Sequence, residues 1–306
     1  MFSEIFSLIL STFLFWHTTL YHPQFPHIPT LENLEALPPI TLTIPKAKAA
    51  SDPAILSQAY IVMNQQSGQI LIEKNADLPL YPASTTKIMT ALIVLENLDL
   101  DQVASVSGSL SSDGSHMGLV AGEKILVRDL LRGILIQSAN DAAMVLADTF
   151  PGGEEAFLLE MNQRADQLHL QNTHFMNVVG YSQEGHYTTV RDLVILSQIA
   201  MQNPTFAQMV KERQATVYDT QGKFVHTLRT TNVLLGTVPG IEGIKTGWTE
   251  QSGECLVAQA TRGDQTIITA VLGSPNRFAE TTQLFSWAFG NFTTETKSFD
   301  DWMKTL

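Results

Sequence analysis

A single cysteine, Cys255, stands among the 306 residues, so no disulfide can close within the chain. It lies in the apolar, strand-like run Glu254-Cys255-Leu256-Val257-Ala258, which suits a buried structural thiol better than a reactive one. Charge is also scarce. Asp, Glu, Lys and Arg make up 16% of the residues, against about a quarter in an ordinary soluble domain. The 18 Lys and Arg are outnumbered by 30 Asp and Glu, giving a net charge of −12, and the basic residues are scattered. Nucleic-acid binding needs clustered cations, so no nucleic-acid partner is expected. There is no H-E-x-x-H or comparable ligand spacing among the histidines, so no metal and no other cofactor is expected. His116, His169, His174 and His186 read as surface or helix-end residues. Internal repeats are absent.

What is present begins with an apolar run, residues 5–16, of signal-peptide length. The positive charges that normally precede such a run are missing; Glu4 stands there, and the first lysine is Lys46. Ala47-Lys48-Ala49 has the look of a cleavage site but lies too far from the run. Residues 1–21 are therefore expected to be a signal or membrane-anchor segment. Residues 22–53 hold seven prolines (Pro23, Pro26, Pro29, Pro38, Pro39, Pro45 and Pro53), the composition of a stiff extended linker. The folded domain is expected over residues 54–295, with 296–306 a tail.

Within it, residues 59–64 and 69–73 are apolar and β-branched around a Gln-Gln-Ser-Gly turn and predict a hairpin. Helical spacing of apolar residues predicts helices over 84–97, 127–137, 141–149, 154–168 and 190–201. Strands are predicted at 214–218, 223–228, 241–245, 255–261 and 265–272, and a closing helix at 278–289. Strands at both ends with helices between predict a mixed α/β fold. A mostly antiparallel sheet joins the two terminal hairpins, and helices cover it with a helical sub-lobe.

Three short motifs carry chemistry. In Ser84-Thr85-Thr86-Lys87 the lysine follows the serine by three residues, so a helical turn places its amine beside the hydroxyl. A serine is a weak nucleophile until a base takes its proton, and a lysine is a base only when neutral, as burial or a second cation can make it. Ser138-Ala139-Asn140 sits between two apolar helices, where a hydroxyl could relay a proton and an amide could hold a peptide carbonyl. Lys245-Thr246-Gly247 ends a predicted strand and offers donors to a carboxylate, with a glycine that lets a substrate backbone approach. Each motif alone is weak. Ser-x-x-Lys arises on the order of once by chance in such a length, and Ser274-Pro275-Asn276 repeats the second pattern as a turn.

Together, in this order and context, the motifs resemble those of penicillin-binding proteins and serine β-lactamases. The longer stretches Tyr81-Pro82-Ala83-Ser84-Thr85-Thr86-Lys87-Ile88-Met89-Thr90 and Gln137-Ser138-Ala139-Asn140-Asp141-Ala142 are similar to the low-molecular-mass penicillin-binding proteins, the serine D-alanyl-D-alanine carboxypeptidases. So are Gly243-Ile244-Lys245-Thr246-Gly247 and Ser286-Trp287-Ala288-Phe289-Gly290-Asn291-Phe292. The resemblance runs from about Ala59 to about Phe292 and implies a β-lactamase/transpeptidase-like fold acting on the stem peptide of peptidoglycan. It implies Ser84 as the acylated nucleophile, Lys87 as its base, and Ser138 with Lys245 passing a proton to the leaving D-alanine. Asn140 would hold substrate backbone, and Thr246 and Arg277 the terminal carboxylate. Gly247 would give the backbone access, and the N–H groups of Ser84 and Trp248 would form the oxyanion hole. Trp248 stands where relatives carry smaller or polar residues. β-Lactam antibiotics are the implied covalent inhibitors, and the bacterial cell envelope the implied compartment. Relatives often carry a β-rich C-terminal domain and an anchor helix; here attachment to the membrane is expected through the N-terminal segment.

Three alternatives remain at this level. A D,D-endopeptidase would use the same groups on a cross-bridge. A class A β-lactamase needs a glutamate base between the second and third motifs, and residues 171–183 contain no acidic residue. A non-catalytic wall-peptide module on the same fold would bind without turnover.

Overall fold

A computed structural model of the chain describes residues 41–47, 51–108 and 113–298. The apolar segment 1–21, most of the expected linker and residues 299–306 lie outside the described residues. Among the described residues no helix is long and apolar enough to cross a membrane. Residues 43–297 form one compact unit; residues 1–42 and 298–306 are assigned to another, almost all of it outside the described residues.

The core is a five-stranded antiparallel sheet. After β1 (Thr41–Ala47) come β2 (Ala59–Asn64) and β3 (Ile70–Lys74). Asn64 Oδ1 closes their turn by accepting from the Ser67 N–H and hydroxyl at 2.9 and 2.8 Å. Short pairs follow, β4 (Val103–Ser105) with β5 (Lys124–Leu126) and β6 (Gln214–Tyr218) with β7 (Val225–Arg229). The sheet is completed by β8 (Ile241–Thr249), β9 (Gly253–Arg262) and β10 (Gln265–Ser274), in the order β3-β2-β10-β9-β8. The N-terminal hairpin thus pairs with the C-terminal one, Ile61 opposite Ala270 and Tyr60 opposite Val271. This is the mixed α/β, mostly antiparallel fold that the sequence predicts.

The sheet is buried on both faces, because alternate side chains serve different cores. Ile61, Met63, Cys255 and Val257 face the larger cluster, while Tyr60, Val62, Leu256 and Ala258 face the smaller. Helices α1 (Lys87–Asn97), α2 (Val127–Ile136), α3 (Asn140–Thr149), α4 (Gly153–Gln167), α5 (Val190–Ala200) and α6 (Pro204–Met209) fall on the larger side. Helix α7 (Arg277–Asn291) covers the other with Leu284, Phe285 and Ala288. Every residue of α1 from Lys87 to Val94 is buried, the mark of a helix enclosed by neighbours on all sides.

Four local differences from the expectations have physical causes. The helix expected from Ser84 opens instead as a 3-10 turn over Ala83–Thr86. There the Thr85 and Thr86 hydroxyls donate to the carbonyls of Pro82 and Ala83, at 2.7 and 2.9 Å, and compete with α-helical pairing. Helix α6 was not expected, although Asn203 caps it, accepting from Thr205 N at 2.9 Å, and Pro204 is its first residue. Residues 41–47 of the expected linker form β1, which pairs with β11 (Phe292–Ser298), a strand where a tail was expected to begin. His186, expected at the surface, is 1% exposed.

Candidate active site

Ser84 sits on the 3-10 turn, and that geometry brings residue i+3 directly over residue i. Lys87 Nζ accordingly lies 2.9 Å from Ser84 Oγ. Its other neighbours are acceptors from distant parts of the chain, Asn140 Oδ1 at 2.7 Å and the Val179 carbonyl at 2.7 Å. A neutral amine has two hydrogens and one lone pair. The two acceptors take the hydrogens, which leaves the lone pair to receive the Ser84 hydroxyl proton. The electrostatics favour that state: burial and then the Lys245 cation hold Lys87 well below the usual lysine range, against an opposing pull from Asp141.

Ser138 occupies the bend between α2 and α3 in the left-handed region, φ 63°, unusual for a residue with a side chain. Its hydroxyl accepts from Lys245 Nζ at 2.8 Å, which also donates to the Thr246 carbonyl at 3.0 Å. Lys245 is 1% exposed, and burial, then Arg277, lowers it to about 7. Thr246 Oγ1 shares a hydrogen bond of 2.6 Å with Thr231 Oγ1. Arg277, at the start of α7, donates through Nη1 to the Gly247 carbonyl at 2.7 Å and lies 4.8 Å from the Phe278 ring centre. Trp248 is 63% exposed and stands at the edge of the cleft.

Ser84, Ser138, Asn140, Thr246, Gly247, Trp248 and Arg277 all line one open cleft of about 500 Å³; Lys87 and Lys245 lie behind its wall, fully buried. All nine residues singled out in the sequence therefore converge. Asn140 differs in detail from the role expected of it. Its Oδ1 serves Lys87, and its Nδ2 donates to the Asp113 carbonyl at 2.8 Å, so a substrate carbonyl would have to compete for that donor.

Sequence reasoning missed several members of the site. Val179 supplies the carbonyl that orders Lys87. Gly180, at φ 97°, lies so close to the Ala83–Ser84 peptide that a Cβ would stand 1.9 Å from Ala83 O. A Cβ on Gly247 would come within 2.9 Å of Ser84 N. Two glycines therefore press on the Ala83–Ser84 peptide. Asp141 accepts from the N–H groups of Met117, Gly118 and Leu119 at 2.9–3.1 Å, pinning the loop before β5 to the start of α3. A glycine after Val178-Val179 and an acid in the first turn of a helix were the only local signals.

Cys255 is buried and its thiol is pushed up to about 11 by burial, so it is inert. Among the described residues no group of three or more His, Cys, Asp or Glu is placed to hold a metal ion.

A family profile described as D-alanyl-D-alanine carboxypeptidase matches residues 46–276. The chain is 34% identical over 257 residues to the D-alanyl-D-alanine carboxypeptidase DacF of Bacillus subtilis, covering 81% of this chain and 66% of that one. It is 36% identical over 269 residues to a D-alanyl-D-alanine carboxypeptidase of Streptomyces sp. strain K15, covering 81% of this chain and 92% of that one. The chain thus spans just under two thirds of the Bacillus relative. The crystal structure of the Streptomyces K15 DD-transpeptidase superposes with a TM-score of 0.75 at 34% identity, over 79% of this chain and 100% of that one.

Proposed function

The chain belongs to the D-alanyl-D-alanine carboxypeptidase family, and from that premise we propose that it is a serine D,D-peptidase releasing the terminal D-alanine of peptidoglycan stem peptides. The observation that carries this reading is the buried Lys87 amine, held 2.9 Å from Ser84 Oγ and 2.7 Å from both Asn140 Oδ1 and the Val179 carbonyl, with burial and then Lys245 keeping it well below the usual lysine range.

In the proposed reaction, Ser84 Oγ attacks the carbonyl carbon of the penultimate D-alanine while its proton passes to Lys87 Nζ. The N–H groups of Ser84 and Trp248 stabilise the oxyanion. As the tetrahedral intermediate collapses, the C–N bond breaks. The leaving amine takes a proton through the Ser138 hydroxyl, which Lys245 Nζ resupplies across 2.8 Å. Thr246 and Arg277 hold the departing carboxylate, and Asn140 and Gly247 receive the peptide backbone. Once Lys87 has released the proton it took from Ser84 to solvent and Lys245 has regained one, water, with Lys87 again as base, cleaves the Ser84 ester. A β-lactam would acylate Ser84 in the same way. Its amine stays tethered after ring opening and shields the ester.

Hydrolysis of that ester by a class A β-lactamase route needs a carboxylate base. The segment 171–183 reaches the cleft through Val179, Gly180 and Tyr181 and offers none. Endopeptidase action would replace the free carboxylate with a cross-bridge. The Arg277 guanidinium beside Gly247 favours the carboxypeptidase reading. Residues 54–295 would carry the activity outside the cytoplasm, with residues 1–21 as signal or anchor and residues 22–53 as the tether.

The test is incubation with labelled penicillin and with a D-Ala-D-Ala tripeptide analogue. Covalent labelling and D-alanine release, both abolished by Ser84→Ala, support the peptidase. Reversible binding indifferent to Ser84→Ala supports a non-catalytic module and overturns the reading.

A further inference from the structure

His186 is a buried titratable residue for which the proposed reaction has no use, yet its hydrogen bonds lead directly to the nucleophile. Its Nδ1 faces the Met176 N–H at 2.9 Å. A backbone N–H can only donate, so Nδ1 must be the acceptor and the ring hydrogen must sit on Nε2. Nε2 lies 2.9 Å from Thr86 Oγ1 and therefore donates to it. The Thr86 hydroxyl spends its own hydrogen on the Ala83 carbonyl, at 2.9 Å. The result is a one-way chain from the Met176 N–H through His186 and Thr86 to Ala83 O. Burial, and then His174, holds His186 down at about 4, so the neutral tautomer that the chain requires is the one present at neutral pH.

The end of that chain matters because a peptide unit is planar. The Ala83 carbonyl and the Ser84 N–H belong to the same plane and point in opposite directions, so fixing the first aims the second. This plane is held under strain: Ala83 has φ 47°, in the left-handed region. The plane is closely confined, since a Cβ on either Gly180 or Gly247 would stand 2.9 Å from Ser84 N. Sterics limit how far the plane can move, and the Thr86 hydroxyl bond to Ala83 O adds to the backbone pairing of the 3-10 turn in giving it a direction.

We propose that His186 is a positioning residue for the oxyanion hole, aiming the Ser84 N–H through Thr86 and the Ala83 carbonyl. This rests on the reading of Ser84 as nucleophile and adds to it a residue that touches neither substrate nor reacting atoms.

The experiment measures two quantities: the second-order rate of acylation by fluorescent penicillin, and the affinity for a peptide boronic acid whose adduct places an oxygen in the oxyanion hole. The variants are His186→Phe, His186→Gln, Thr86→Val and the double His186→Phe/Thr86→Val. Removing an oxyanion donor outright costs about 10²–10³ in rate, so misaiming one should cost at least about 10-fold. His186→Phe and Thr86→Val should each lose that much in acylation and in boronate affinity. The double variant should be no worse than the poorer single one. His186→Gln, whose amide can still donate to Thr86, should recover most of the loss. Should His186→Phe fail to fold, the near-isosteric Thr86→Val and the Gln variant carry the same comparison. The proposal is overturned if folded variants acylate within about threefold of wild type, if acylation falls while boronate affinity holds, or if the two losses multiply. Absence of labelling in the wild type would instead sink the peptidase reading, and this inference with it.

Discussion

Gly180→Ala isolates the tightest steric contact in the site. An ideal Cβ there would stand 1.9 Å from Ala83 O and 2.3 Å from Ala83 C, where real Cβ contacts essentially never fall below 3.0 Å. The obstacle is backbone, which cannot swing aside as a flexible side chain would. The Ala83–Ser84 peptide must therefore retreat by roughly 1 Å, and a misplacement of that size costs about 10²-fold in rate. Stability should fall too, by about 1–3 kcal/mol for a side chain at φ 97° and about as much again for the overlap. Gly222→Ala separates these terms. Gly222 also has positive φ, at 67°, but nothing lies within 4 Å of its Cβ position. It should show the strain alone, a loss of about 1 kcal/mol, with acylation unchanged. The assays are urea denaturation and the rate of covalent labelling by penicillin, counted per folded molecule. A folded Gly180→Ala protein labelled within 10-fold of the wild-type rate would refute the view that this contact sets the nucleophile's position.

Other outcomes follow from the buried charges. Lys245 is about 7 when folded and near 10.5 when unfolded, so the unfolded chain binds the extra proton between those values and stability rises with pH across that window; from pH 7 to 9 the gain should be about 2 kcal/mol. Urea melts of Lys245→Met should lack that increment, and equal slopes in variant and wild type would refute the assignment. His186, near 6.5 unfolded and held down at about 4 in the fold by burial and then by His174, contributes stability that is complete above pH 6.5 and lost on acidification toward 4. His186→Gln should flatten that acid limb by about 2 kcal/mol between pH 7 and 4.5 in the same melts. Asp141→Asn turns one of two accepting oxygens into a donor facing the loop N–H groups, which should cost about 2–4 kcal/mol by thermal or urea unfolding; an unchanged midpoint would count against the pinning role. Arg277→Gln should raise KM for a free D-Ala terminus at least about 10-fold and leave an amidated analogue little affected, because a charged hydrogen bond to carboxylate is worth about 1.5–3 kcal/mol; equal effects on both would argue against carboxylate recognition.

Much of the molecule was legible along the chain where the cause is local. The hairpins β2–β3 and β9–β10 follow from alternation and turn residues, and helices α2 to α5 from apolar spacing; their ends shift by one or two residues, as termini do. The pairs β4–β5 and β1–β11 escaped notice because strands of three residues, or strands within a proline-rich stretch, leave no periodicity to read. His186 was misread because an isolated polar residue carries no sign of burial; its environment comes from Thr86, Met176 and Phe175, two of them within 11 residues but oriented only by the folded loop.

The sequence by itself determined the pairing of a hydroxyl with an amine three residues on, since any helical turn brings those positions together. It also determined the two-faced apolar strands and the motif set that marks the family. Tertiary structure alone decided what the amine is. The proton affinity of Lys87 falls because burial and then Lys245, set nearby by β8, lower it, while α3 brings Asn140 from 53 residues away and the Val179 carbonyl arrives from 92 away. Proton affinity depends on burial and on neighbouring charge, and neither exists until distant segments pack together.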